Sequence, residues 1–282
     1  MLKFLVFFIV PVLCIGLAGF ATADDSQKAS SPAKPILRGH SHNDYYQPRP
    51  LFDALDKGLC SVEADIFLVN GALLVAHELR NVRPEKTLEA LYLEPLRERV
   101  RRFEGKVFPD AERFYLWIDF KTNAVLTYSV LEKILERYAD ILTRYENDVE
   151  IPGAVTVILT GSANLDLIRN KPVRFAGVDG GGAHALDSDV PASLMPAVGM
   201  NWRREFPNFD GQTLSPDEQK KLIEHVRKAD EKGRKLRYWN APDNEVLWGI
   251  LRDAGVHFIN TNRLEALRNF MLDCDKAEPK SP

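Results

Sequence analysis

Eight short apolar runs alternate with longer amphipathic segments along most of the chain, and this alternation constrains the fold more than any other feature. The runs predict strands at Pro35–Arg38, Cys60–Leu68, Phe114–Asp119, Ala154–Leu159, Val173–Val178, Ala197–Asn201, Lys235–Trp239 and Val256–Asn260. Helical spacing predicts helices between them, at Leu51–Lys57, Lys86–Phe103, Leu126–Tyr145, Ala163–Asn170, Pro216–Lys232, Asn244–Ala254 and Leu264–Leu272. This α/β pattern is typical of a (β/α)8 TIM-type barrel. An open, doubly wound sheet is the alternative that the strand count leaves open.

The two ends of the chain differ in composition from the segment between them. Lys3, the apolar stretch Phe4–Phe20 and the small residues up to Ala23 are typical of a signal peptide, so we expect export after cleavage near Ala23, to the periplasm or the outside of the cell. An uncleaved membrane anchor is the alternative. The expected organisation is a signal peptide (1–23), a flexible leader (24–34), one barrel domain (35–273) and a loose tail (274–282).

Composition excludes two classes of protein. The net charge is −3 and no basic block stands out, which argues against a nucleic-acid partner. Beyond the signal peptide only Cys60 and Cys274 remain, too few for a disulfide scaffold. Whether these two pair is left open by the sequence.

An acidic pair interrupts the second apolar run. Glu63 and Asp65 lie two residues apart, so a strand would project both from one face. Two buried neighbouring carboxylates repel each other, and a hard divalent cation such as Mg²⁺ or Ca²⁺ would compensate both. Asp119, at the end of the third strand, is a candidate third ligand. A solvent-facing strand edge, or an ion pair of Asp119 with Lys121, fits the same spacing.

Three histidines surround this strand. His40 and His42 form the motif "HSH", and His77 ends "LLVAHE". Two imidazoles beside a metal-bound phosphate are suited to proton transfer or nucleophilic attack. Zinc held by the His40/His42 pair is a competing interpretation, and a lone histidine is more often structural.

Two further residues are candidates for substrate contacts. Lys121 follows Asp119 by two positions and would offer a point charge to a phosphate oxygen. Trp239 ends the seventh predicted strand, where it would either form a wall of the pocket or fill the core. In a barrel the carboxyl ends of the strands converge at one mouth.

Several motifs occur together and in order between Arg38 and Leu267: "GHSHNDY", "SVEADIFL", "LLVAHE", "WIDFKT", "RYWNAP" and "GVHFINTNRL". In these the chain resembles the phosphatidylinositol phospholipase C-like phosphodiesterase superfamily, which includes the glycerophosphodiester phosphodiesterases and sphingomyelinase D. It is most similar to the group named after altered inheritance of mitochondria protein 6.

The resemblance implies a metal-dependent phosphoric diester hydrolase on a TIM-type barrel, acting on a glycerophosphodiester or a phospholipid-type diester by two-histidine acid–base catalysis. It implies one divalent cation, Mg²⁺ in preference to Ca²⁺. The partner would be a small-molecule or lipid substrate, with transient contact to a membrane surface and a monomeric chain. Carried over by position, the roles are metal ligands (Glu63, Asp65, Asp119), catalytic histidines (His40, His77) and substrate contacts (Lys121, Trp239, His42).

The chain also departs from the superfamily pattern. "HSHNDY" stands where glycerophosphodiesterases have His-Arg-Gly, so the head group and the choice between His40 and His42 stay open. Asn262 stands where an aspartate is expected after Thr261. A non-catalytic barrel that binds phosphorylated or sugar ligands, and a zinc hydrolase that uses His40 and His42, are the alternative functions.

Overall fold

The computed structural model describes residues 32–277. The predicted signal peptide, the predicted leader up to residue 31 and residues 278–282 lie outside this range. Eight parallel strands form the centre of the domain: Ile36–Ser41 (β1), Leu59–Val69 (β2), Phe114–Phe120 (β3), Val155–Gly161 (β4), Ala176–Val178 (β5), Ala197–Asn201 (β6), Lys235–Trp239 (β7) and Ile259–Thr261 (β8).

The strands are arranged as a ring with two thin seams. Continuous parallel pairing runs in the order β8, β1, β2, β3, β4, β5, and β6 pairs separately with β7. Single parallel bridges join β5 to β6 (Asp179 with Ala197) and β7 to β8 (Arg237 with Phe258). The predicted (β/α)8 barrel is therefore confirmed.

Polar side chains reinforce the first of these seams. The Asp179 carboxylate accepts hydrogen bonds from the backbone N–H groups of Gly199 on β6 (2.5 Å) and Gly181 (3.2 Å). Its other oxygen accepts from Thr160 Oγ1 on β4 at 3.2 Å. One carboxylate thus links three successive parts of the ring where backbone pairing is sparse.

Helices cover the outside of the barrel: Phe52–Asp56 (α1), Glu94–Arg102 (α2), Ala124–Glu136 (α3), Trp202–Glu205 (α4), Pro216–Glu231 (α5), Glu245–Asp253 (α6) and Leu264–Ala277 (α7). A π-helical turn, Glu89–Leu93, leads into α2. Asn123 and Asn244 cap α3 and α6, and Ser215 caps α5, each accepting from a backbone N–H of the first turn. In the part of the chain that the structure describes, no helix has both the length and the apolar character needed to cross a bilayer.

Several predicted elements differ from the structure, and the first and last strands end and begin three residues later than predicted, at Ser41 and Ile259 respectively. The helix expected to reach Tyr145 ends at Glu136, because Arg144–Glu146 pairs in a hairpin with Val149–Ile151 through a turn at Asn147 and Asp148. Both turn residues have positive φ, which Asn and Asp tolerate. The strand expected at Val173–Val178 divides, since its first two residues join that hairpin. The helix expected at Ala163–Asn170 is a 3-10 turn, Leu165–Leu167. Helix α7 runs to Ala277, so residues 274–277 are helical and not part of a tail.

The lower part of the barrel interior is apolar. Trp117 and Phe258 meet edge to face, with ring centroids 5.6 Å apart, and pack with Ile158 and Ala197. Cys60 is buried on β2 and Cys274 lies on α7, and both are free thiols. The apolar cluster of Trp117, Ile158, Ala197 and Phe258 lies beneath the polar side chains at the upper end of the ring.

A buried carboxylate holds the segment that follows β1. Asp44 accepts hydrogen bonds from Ser41 Oγ (2.6 Å), the backbone N–H of Leu51 (2.5 Å) and Tyr92 Oη (3.1 Å). Leu51 is buried at a positive φ of 64°, a conformation that needs such support. Burial raises the pKa of Asp44 to about 6 despite these three donors.

The raised pKa of Asp44 predicts a pH-dependent stability difference. In an unfolded chain the pKa of an aspartate is about 3.9. The contribution of Asp44 to the free energy of unfolding is therefore full below about pH 4 and is lost as the pH rises through about 6. Asp44→Asn does not titrate, so wild type should lose up to about 3 kcal/mol of unfolding free energy relative to this variant between pH 4 and pH 7. Urea unfolding at both pH values measures it. Exposed Asp110→Asn is the control, and an unchanged difference for Asp44→Asn would contradict the prediction.

Candidate active site

Three carboxylates meet at the upper end of β2 and β3. Asp65 and Asp119 are directly paired in register, and Glu63 lies two residues before Asp65 on the same face. One oxygen from each of the three acids lies within 4.8 Å of the other two. Glu63 and Asp65 are buried and Asp119 is half-buried. Within residues 32–277, this is the one group of three or more acidic, histidine or cysteine side chains with metal-ligand spacing.

Two cations compensate these acids in part. Lys121 Nζ lies 3.0 Å from Asp65 Oδ2 and 3.1 Å from Asp119 Oδ1. Burial opposes the charge of Lys121, yet the two carboxylates raise its pKa above the usual value. Arg237 Nη1 donates to Glu63 Oε1 at 3.1 Å. Burial alone would raise the pKa of Glu63, but Arg237 and His40 hold it well below its usual range.

The acids fit a hard divalent cation. Asp65 Oδ1 is a buried oxygen without a hydrogen-bond donor, and the Lys121 ammonium, 3.1 Å away, is the one cation beside Asp119 Oδ1 within residues 32–277. Burial, followed by the charge of Asp65, raises the pKa of Asp119. Three carboxylates beside two cations leave one negative charge in excess. Oxygen donors with uncompensated charge are the ligands that Mg²⁺ and Ca²⁺ prefer.

His40 lies deepest of the three candidate histidines. It is fully buried at the upper end of β1, with its ring edge-on to Trp117 and Phe258. Its Nδ1 is 2.7 Å from Ser61 Oγ and its Nε2 is 3.0 Å from Arg237 Nη1. Burial lowers the pKa of His40 to about 4. The guanidinium in front of Nε2 argues against zinc held by the His40/His42 pair, since that lone pair already accepts a hydrogen bond.

His42 and His77 lie on either side of the acids. His42 Nε2 is 3.7 Å from Glu63 Oε2, and His42 Nδ1 is 3.3 Å from Asn262 Oδ1. His77 Nδ1 is 3.0 Å from Asp65 Oδ2 and 3.1 Å from Tyr45 Oη. The side chains of His42 and His77 are 31% and 44% exposed, so solvent reaches both rings.

The remaining candidates separate into rim and core. Trp239 ends β7 at the mouth and is 39% exposed. Lys121 lies among the acids, in the ion pair with Asp119 that the spacing left open as an alternative, and its contact with substrate stays a prediction. His225 bonds Tyr238 Oη at 2.9 Å, and His257 accepts from the backbone N–H of Leu236 at 3.1 Å, so both are structural.

Sequence reasoning missed Arg237, Tyr45 and Ser61. Tyr45 Oη lies 2.7 Å from Asp65 Oδ2, Ser61 contacts His40, and Arg237 connects His40 with Glu63. For Arg237 a signal was present, because it precedes Trp239 by two positions in the same strand and must share its face. Ser61 and Tyr45 carry no comparable signal, since small and aromatic residues are common at such positions.

A glycine makes room for the third acid. Gly161 ends β4 with a positive φ of 72°, and a Cβ at this position would lie 2.2 Å from Asp119 Oδ1. Gly71 has a similar φ of 82°, yet a Cβ there would meet nothing within 4 Å. The two positions share the backbone penalty of about 1–2 kcal/mol for an L side chain but differ in the contact with Asp119.

We expect Gly161→Ala to displace Asp119 and to weaken Mg²⁺ binding about 10–100-fold, as disturbed support of a ligand typically does. Isothermal titration calorimetry of the full chain measures this. Gly71→Ala is the control for the backbone penalty and should bind Mg²⁺ like wild type. It should lose less stability than Gly161→Ala, because a Cβ at Gly161 would also lie 2.8 Å from the backbone N and O of Phe120. Equal Mg²⁺ affinity in the two variants would show that the position of Asp119 does not matter for the cation.

Comparison with known proteins identifies the family of this chain. The model of the AIM6-like phosphodiesterase domain matches residues 28–177. The altered inheritance of mitochondria protein 6 homolog of Arthroderma benhamiae is 31% identical over 264 residues, covering 82% of each chain. Altered inheritance of mitochondria protein 6 of Eremothecium gossypii is 30% identical over 297 residues, covering 91% of this chain and 76% of that one.

A solved structure shares the fold. The glycerophosphodiester phosphodiesterase from Agrobacterium tumefaciens str. C58 superimposes with a TM-score of 0.51 over 84% of this chain and 100% of that one, at 14% identity. At this identity the likeness concerns the fold alone. The family match and the relatives cover the strands that supply all three acids. The chain therefore belongs to the AIM6-like phosphodiesterase domain family.

Proposed function

We propose that this protein is a metal-dependent phosphoric diester hydrolase that acts on a glycerophosphodiester or phospholipid-type diester by two-histidine acid–base catalysis. The observation that carries the proposal is the three-carboxylate group with an accessible imidazole on either side: His42 beside Glu63 and His77 bonded to Asp65. Membership of a phosphodiesterase domain family supports the reaction class.

Glu63, Asp65 and Asp119 would hold one divalent cation, Mg²⁺ in preference to Ca²⁺. When bound, the cation would polarise the phosphoryl oxygens and offset the negative charge that develops in the transition state. Lys121, 26% exposed beside these acids, would add a positive charge near a phosphate oxygen. Trp239 at the rim would contact the part of the substrate that projects from the mouth.

His77 is oriented for proton transfer. The Asp65 carboxylate can only accept a hydrogen bond, so His77 Nδ1 carries the proton and Nε2 keeps its lone pair. The two proton-transfer groups would be His77 and one histidine of the His40/His42 pair. One of them would take a proton from the attacking water or substrate hydroxyl, and the other would give a proton to the leaving alcohol. Attack by a substrate hydroxyl would give a cyclic phosphate, which ³¹P NMR of the products would distinguish from a monoester.

The surroundings of the mouth bear on the substrate and the cellular location. Tyr46 and Leu79 follow β1 and β2 and are 60% and 59% exposed, which suits transient contact with a membrane that holds a lipid diester. We also propose that the chain is a monomer. We also propose export after cleavage near Ala23, on the basis of the sequence of residues 1–23 alone.

His77→Ala should lower kcat by about 10²–10⁴, because a positioned acid or base contributes that factor. The assay is a panel of glycerophosphodiesters, lysophospholipids and sphingophospholipids with Mg²⁺ or Ca²⁺. The melting temperature should stay close to that of wild type, since the His77 side chain is 44% exposed. His184→Ala, an exposed histidine on another loop, is the control and should turn over normally. Undiminished hydrolysis by His77→Ala would reject its role.

Removal of the cation should abolish hydrolysis and lower stability. Wild type treated with chelator should recover activity with Mg²⁺ more than with Ca²⁺. At a Mg²⁺ concentration of about 100 times Kd, binding should add about 2.7 kcal/mol to the free energy of unfolding. Asp65→Asn should lose this increment. Full activity in chelator would rule out metal dependence, and ligand binding without any turnover would favour the non-catalytic barrel.

A further inference from the structure

The hydrogen bonds of the three histidine rings differ in one respect that decides their roles. An imidazole that exchanges a proton with a substrate needs one ring nitrogen directed at the substrate, while the other is held by a fixed partner. Proton transfer by these rings is part of the proposed function, on which this inference rests. The fixed partners of His40, His42 and His77 determine which ring nitrogens remain available for it.

Both nitrogens of His40 are occupied inside the protein. An arginine keeps its protons and only donates, so His40 Nε2 must accept from Arg237 Nη1 at 3.0 Å. His40 Nδ1 therefore carries the ring proton and donates to Ser61 Oγ at 2.7 Å. The ring is 0% exposed between Trp117 and Phe258. No nitrogen of His40 is left for a substrate.

His42 has the opposite arrangement. The side-chain oxygen of Asn262 can only accept, so His42 Nδ1 is the donor in their 3.3 Å contact. His42 Nε2 is partly exposed and has no hydrogen-bond partner within residues 32–277, since Glu63 Oε2 lies 3.7 Å away, beyond hydrogen-bond distance. His77 repeats this pattern on the other side, with Nδ1 bonded to Asp65 and Nε2 free. His42 and His77 therefore share an Nε2 atom that is available to a substrate, and His40 has none.

We infer that His42 is the catalytic partner of His77, and that His40 is a positioning residue held by Arg237. This moves the role that the sequence pattern suggested for His40 by two residues, to the ring at the mouth. It also gives Asn262, which replaces an expected aspartate, a function: its amide oxygen orients His42 through a neutral acceptor.

Arg237 explains why a buried histidine is needed at position 40. The same Nη1 atom donates to His40 Nε2 and to Glu63 Oε1, at 3.0 and 3.1 Å. The guanidinium lies over the Trp117 ring at 4.1 Å, and Arg237 is 3% exposed. His40 thus supplies the acceptor that fixes this arginine, and the arginine holds Glu63 through Oε1. Glu63 Oε2 lies between the two rings, 3.7 Å from His42 Nε2 and 3.8 Å from His40 Nε2.

The kinetic test compares two glutamine variants of the full chain. His42→Gln should lower kcat by about 10²–10⁴ on glycerophosphocholine with Mg²⁺, with unchanged Mg²⁺ affinity and melting temperature. His40→Gln keeps an acceptor oxygen for Arg237, so its kcat should exceed that of His42→Gln by at least about tenfold. A larger loss in kcat for folded, Mg²⁺-binding His40→Gln than for His42→Gln would overturn the inference.

A second measurement does not depend on turnover. In wild-type protein with ¹⁵N-labelled histidine at pH 7.5, long-range ¹H–¹⁵N spectra should show His40 as the neutral Nδ1–H tautomer. Addition of inorganic phosphate with Mg²⁺ should leave the His40 signals in place and shift those of His42 and His77. Each ring is assigned from its own glutamine variant. A His40 signal that moves with phosphate while His42 stays fixed would contradict the assignment.

The two tests separate the inference from the proposed function. If wild type hydrolyses no diester, the proposed reaction fails, and the ring tautomers and phosphate shifts still decide which histidines face the site. If wild type is active and His42→Gln is equally active, the reaction stands and the inference falls.

Discussion

Two buried carboxylates and a half-buried one lie together at one end of a barrel whose lower half is packed with aromatic rings. The rest of the structure depends on how their charge is compensated. Buried acids this close together are tolerated only where positive charge or hydrogen-bond donors compensate them. Arg237 compensates Glu63, and Lys121 compensates Asp65 and Asp119. The charge that stays uncompensated is what makes the site suitable for a cation and, through it, for an anionic phosphodiester.

Much of the fold was readable from local pattern. The boundaries of β6 and β7 were predicted at the residues where they are observed, and Glu63 and Asp65 were identified because alternation in a strand fixes the face of a side chain. The convergence of Asp119 with them followed from the rule that the carboxyl ends of parallel strands meet at one mouth. These features need only spacing within one segment, or one rule of topology.

The division of labour among the histidines could not be predicted in this way. His40 is distinguished from His42 by partners that lie far away in sequence: Arg237 for the first ring and Asn262 for the second. A motif such as "HSH" is symmetric in composition, so it contains no information about which ring is enclosed. The helix predicted to reach Tyr145 was too long for a related reason. Residues Arg144–Glu146 pair with Val149–Ile151 in a hairpin, and helical spacing does not reveal that pairing.

The two seams of the ring determine which side-chain bonds hold the site together. Backbone pairing is thinnest between β5 and β6 and between β7 and β8. At the first junction the Asp179 carboxylate holds the strands together, and from the second Arg237 reaches across to β1 and β2. The bonds of Arg237 therefore both connect strands across the second seam and position His40 and Glu63. Grafting the acids and rings alone onto another barrel would leave behind the braces that keep them in place.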